Sequence, residues 1–76
     1  MISDNLINAL KCVSDVIDGE ISFFNFYTLE RDESAKVLGV VEHSLMWMDV
    51  DSHSAGILCE MKKELESNIS LSSLYL

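Results

Sequence analysis

The sequence has no proline and only three glycines in 76 residues. With so little chain punctuation, no internal linker and no low-complexity block is expected. A Gly-rich phosphate-cradling loop is excluded for the same reason. Cysteine is equally scarce. Cys12 and Cys59 lack the Cys-x-x-Cys spacing of a zinc site, and His43 and His53 do not complete one. Two lone thiols read as small hydrophobes rather than as a bridge. Nor does their spacing suggest a Cys–His nucleophilic pair. No apolar run approaches the ~20 residues of a membrane-spanning helix. Met1-Ile2-Ser3-Asp4-Asn5 shows neither the basic nor the apolar region of a secretory signal, so a cytoplasmic location is expected. The chain is too short for a Rossmann unit, a barrel or a two-domain enzyme. No catalytic motif emerges, no cofactor is implied, and the reading is non-enzymatic.

Basic residues are the other shortage. Five Lys and Arg face thirteen Asp and Glu, for a net charge of −8. Phosphate backbones are bound in proportion to the charges neutralised, so neither direct nucleic-acid binding nor docking to an anionic membrane is expected. The sign suits a basic protein partner, a cation or plain solubility.

What the chain does have is apolar residues at helical spacing. Ser3 or Asp4 can cap a first helix, whose stripe is Leu6, Ala9, Leu10, Val13 and Ile17. Asp18-Gly19 should turn the chain. Residues 21–29 carry β-branched and aromatic side chains that favour a strand, yet the chain offers no obvious second strand to pair with it. A short extended piece leading into a helix is the compromise. A second helix is expected from about Glu33 to Met48, with Val37, Leu38, Val41, Leu45 and Met48 inward. Asp49-Val50-Asp51-Ser52 breaks it and offers caps for a last helix to about Asn68, with Leu58, Met61, Leu65 and Ile69 inward. Asn68-Ile69-Ser70 fits a glycosylation sequon, which has no meaning without secretion. The expected architecture is mainly α, three to four short helices in one compact domain over 1–69. Residues 70–76 are expected to form a frayed tail, whose Leu74-Tyr75-Leu76 end could dock in a groove.

Asp18-Gly19-Glu20-Ile21-Ser22, with Phe26 following, resembles the second half of an EF-hand loop beginning at Ser14. A second stretch, Asp49-Val50-Asp51-Ser52-His53-Ser54 with Glu60 at the twelfth place, lies thirty-five residues on. The resemblance covers about residues 3–69 and is to a single lobe of the calmodulin or light-chain kind. It implies a β-bridge between the segments around Ile21 and Gly56-Ile57. It also implies a groove that receives a basic amphipathic helix. The chain departs from the pattern at Val16 and Asn25 in the first loop and at His53, Ser54 and Gly56 in the second. No metal is therefore assigned.

Phe23, Phe24, Phe26, Tyr27, Met46, Trp47 and Met48 are a large apolar group for so short a chain. They fall on more than one helical face, so part of this area should stay exposed and mark an interaction site. The first functional reading is a small acidic interaction module that binds a basic or amphipathic segment of a larger protein. Phe23, Phe26, Tyr27, Met46, Trp47 and Met61 are its candidate contacts. The alternative is an acidic inhibitor, antitoxin-like, masking a basic nucleic-acid-handling protein with clusters at Asp15/Asp18/Glu20 and Glu30/Asp32/Glu33. A homodimer that closes its core by self-association is a third option.

Overall fold

The computed structural model describes residues 3–74, with side chains through Leu71. Helix α1 spans Asp4–Ile17, a 3-10 turn spans Phe26–Thr28, α2 spans Arg31–Trp47 and α3 spans His53–Leu74. The mainly α expectation holds, and among the described residues there is no strand. α3 is longer than expected. It continues past Asn68 through Leu74, so residues 70–74 extend the helix. Tyr75 and Leu76, which end the expected docking tail, lie outside the described residues.

α1 and α3 are capped by residues the sequence offers for that role, and α2 begins at Arg31, two places before the expected Glu33. The Ser3 hydroxyl accepts from the Leu6 amide at 3.2 Å and caps α1. The Ser52 hydroxyl accepts from the Ala55 amide at 3.1 Å and caps α3. Between α2 and α3, Asp49 Oδ1 accepts from the Asp51 amide at 3.0 Å, a local turn that competes with helix. At the end of α1, the Gly19 amide donates to Val16 O at 3.0 Å and the Glu20 amide to Asp15 O at 2.9 Å. This pair of bonds is a Schellman closure, and it needs the left-handed backbone that Gly19 adopts at φ 89°.

Three helices close on one core. α1 contributes Leu6, Ala9, Cys12, Val13 and Val16; α2 contributes Val37 and Val41; α3 contributes Leu58, Met61 and Leu65. The principal packing is α2 against α3, with α1 laid across both. Ile17 is a correction to the sequence reading. It falls at the margin of the α1 stripe and is exposed, while Val16 takes the inward place. On α3 the inward place expected of Ile69 goes to Asn68. The positions 58, 61, 65 and 68 follow the three-four-three spacing of a helical seam, and Ile69 is only half-buried. Of the two thiols, Cys12 is buried and Cys59 is exposed. Only one of them behaves as the buried hydrophobe expected of both.

The connection from α1 to α2 is held at both ends. The two N–H bonds of Asn68 Nδ2 are shared among Phe26 O at 3.1 Å, Leu29 O at 3.0 Å and Ser34 Oγ at 2.7 Å. Phe26 and Leu29 are buried beneath it. At the other end the Ser3 hydroxyl donates to Glu33 Oε2, while Glu33 Oε1 accepts from the Glu30 amide at 3.0 Å. Glu33 therefore supplies half of a capping box for α2 and ties that helix to the start of α1.

These bonds hold the Glu33 carboxyl below its usual range, the Ser3 hydroxyl first and the Glu30 amide second. Lys36 adds to the effect, and desolvation and Asp32 work against it. A carboxyl with a depressed folded-state pKa contributes stability that is present above its unfolded value. That stability is lost as the pH falls through the folded value. The urea midpoint of Glu33→Gln should therefore fall less than that of the native chain as the solution is acidified. Parallel pH profiles for the two would show that this junction contributes nothing.

Candidate interaction surface

Two of the six sequence-selected contacts are interior. Phe26 is 2 % exposed and Met61 is 6 % exposed, and both belong to the core cluster. Their side chains are too deeply buried for direct contact with a partner. Phe26 is drawn in because its main chain forms the 3-10 turn that Asn68 grips. Met61 lies on the buried seam of α3 between Leu58 and Leu65. The other four are at the surface. Phe23 is 91 % exposed, Trp47 78 %, Met46 76 % and Tyr27 50 %.

Met46 and Trp47 close α2, and neighbouring side chains there cannot share one face with Leu45 and Met48. Leu45 and Met48 pack on the core, which leaves Met46 and Trp47 in solvent. Trp47 keeps one ring contact, an edge-on approach to His43 with centroids 6.3 Å apart. Val50 is a further exposed apolar side chain, and Ile21, expected at a β-bridge, is exposed as well.

The run 20–25 explains the split among the aromatics. It carries no helix, turn or bend. Exposure alternates along it: Ile21 exposed, Ser22 intermediate, Phe23 exposed, Phe24 intermediate. This is the two-residue period of a pleated chain. Phe24 packs on the core and meets Phe26 edge-on, with centroids 5.4 Å apart. Among the described residues no strand forms within 21–29, and the irregular run 20–25 leads into the 3-10 turn at Phe26.

Two hollows flank this connection. The larger, about 450 Å³, is polar and lined by Ser3, Asn5, Thr28, Glu30, Asp32, Glu33 and Lys36, with Leu6 at its base. Both Glu33 oxygens there already accept hydrogen bonds, one from the Ser3 hydroxyl and one from the Glu30 amide. The smaller, about 180 Å³, is mostly apolar. Phe23, Phe24, Ile57 and Met61 line it, and Glu60 and Glu64 bring carboxylates to it. Glu60 is in an exposed ion pair with Lys63 at 3.6 Å. Such a pair contributes about 0–1 kcal/mol and exchanges readily for a better one.

The residues of the two EF-hand-like stretches are spread over different elements. Ser14–Ile17 are helical, Gly19 closes α1, and His53 through Glu60 lie in α3. Ile21 is exposed and Gly56-Ile57 are helical, so no bridge joins the two segments. Among the described residues no three His, Cys, Asp or Glu side chains converge as a metal site would require. Also among them, no helix is long and apolar enough to cross a membrane.

The fold defines a small three-helix protein with an acidic surface and one unpaired extended segment. No family model, curated protein or solved structure matches the chain.

Proposed function

We propose that the protein is a non-enzymatic interaction module that binds a basic segment of a larger protein partner. The observation that supports this reading is the exposure of Phe23, Met46 and Trp47 on a chain of net charge −8. Large aromatic and Met side chains in solvent cost hydration free energy unless something covers them. Met and aromatics also suit an adaptable binding surface, because they offer large area with few polar demands. The carboxylates around them steer a cation-bearing partner and fix its orientation, while apolar contact supplies most of the affinity. Phe23, Tyr27, Met46 and Trp47 are the direct contacts in this reading, and Phe26 and Met61 support them from below.

The test is a titration with a synthetic cationic peptide of Lys and Leu, read by the emission of Trp47, the only tryptophan. Binding should shift the emission to the blue, and raising the salt should weaken binding modestly. Trp47→Ala or Met46→Ala should weaken it, with binding then followed calorimetrically. A steep salt dependence with loss of binding in Glu30→Lys/Asp32→Lys would replace this reading with the charge-masking inhibitor. No binding at low salt would end both.

A further inference from the structure

The segment Ile21–Phe24 combines three properties that seldom coincide in a helical protein. First, among the described residues no hydrogen bond reaches the main-chain N–H or C=O of Ile21, Ser22, Phe23 or Phe24. Second, its side chains alternate outward and inward as in a strand, with the outward Ile21 82 % exposed. Third, it runs along the small apolar hollow whose other wall is α3, with Glu60 and Glu64 at that wall.

A run whose main-chain groups have no protein partner is open to pairing with an added strand, and natural proteins usually blunt such a run with Lys or Pro. Here no Lys, Arg or Pro occurs between Asp18 and Glu30. We infer that Ile21–Phe24 is a docking edge that receives an extended, cationic segment of a partner protein by strand addition. Partner side chains on one face would enter the hollow beside Phe23 and Ile57. Lys or Arg side chains of the same segment would meet Glu60 and Glu64. Main-chain bonds then supply sequence-independent affinity, and the hollow and the carboxylates supply selectivity. Charge decides the class of occupant. A second copy of this chain would bring a further −8 to an edge already lined with carboxylates, whereas a basic segment is attracted to it.

The inference rests on the interaction-module reading and specifies its seat and the conformation of its ligand. It is tested with the full chain, isotope-labelled for NMR. Two soluble probe peptides of equal charge are compared, one alternating Lys and Val to favour a strand, the other a helical Lys/Leu peptide. The strand peptide should shift the amides of Ile21–Phe24 and slow their hydrogen exchange about tenfold or more, as new main-chain bonds form. Glu60→Gln/Glu64→Gln should weaken that peptide about tenfold while leaving the fold intact, since Glu60 and Glu64 are exposed. If either peptide perturbs only Met46 and Trp47, strand docking is overturned and the broader reading survives. If neither binds at low salt, both fail. Concentration-dependent protection of Ile21–Phe24 without any peptide would overturn the cationic occupant in favour of a second copy.

Discussion

Asn68→Leu should cost about 1–3 kcal/mol, because the two N–H bonds of one side-chain amide are shared among three acceptors in a buried place. The carbonyls of Phe26 and Leu29 and the hydroxyl of Ser34 all face Asn68 Nδ2 within 3.1 Å. Leucine fills a similar volume but offers no donor, so the Leu29 carbonyl loses its side-chain partner and the Phe26 carbonyl keeps only the Leu29 amide at 3.2 Å. In a domain this small each kcal/mol moves the melting temperature by roughly 4–8 °C. A loss of that size should be plain in a thermal scan. Asn68→Asp should be worse at neutral pH and better in acid. An ionised carboxyl has no donor and turns negative charge toward two carbonyl oxygens. Its folded-state pKa is therefore raised above the unfolded value of about 3.9. Stability is then highest below that value and falls as the pH rises toward the folded pKa. The gap between Asn68→Asp and the native chain should widen from acid to neutral pH, and the gap for Asn68→Leu should stay nearly constant. If both variants melt within a degree or two of the native chain, the clamp is not what fixes the connection.

Asn68 also shows what pattern reading sees and what it misses. The helices were legible because stripes such as Ala9–Val13, Val37–Val41 and Leu58–Met61–Leu65 repeat at helical spacing. The caps were legible too, since Ser3, Gly19 and Ser52 each have one local task that their chemistry announces. Asn68 was not, because a polar residue on an apolar seam reads as exposed unless its partners are known. Those partners lie 34 to 42 positions away. The exposed ends of the surface followed the same rule. Met46 and Trp47 could be placed outside because Leu45 and Met48 exclude them from one face. Phe26 could not be placed inside, because its burial depends on a turn that Asn68 holds from the far end of the chain.

The second large effect is a contrast between two phenylalanines three positions apart. Phe26→Ala should remove about 3–5 kcal/mol of stability, the usual cost of emptying a buried aromatic site. Its ring is 2 % exposed, packs with Leu29 in the core and receives the edge of Phe24 at 5.4 Å. A domain of this length has only about 5–10 kcal/mol to lose, so a third or more of its stability should go and the melting temperature should fall sharply. Phe23→Ala should change stability by no more than about 0.5 kcal/mol, since its ring has little to lose on truncation. Circular dichroism on heating separates the two directly. Equal losses would mean that Phe23 is packed, and the docking edge would lose its most prominent apolar side chain. The contrast also governs how binding data are read. A loss of binding in Phe26→Ala reports the state of the fold, because its ring is out of reach of any partner. A loss in Phe23→Ala with unchanged melting reports the surface itself. The same aromatic run therefore serves two ends. Phe24 and Phe26 hold the connection onto the helices, and that anchoring is what keeps Ile21 and Phe23 displayed at the surface.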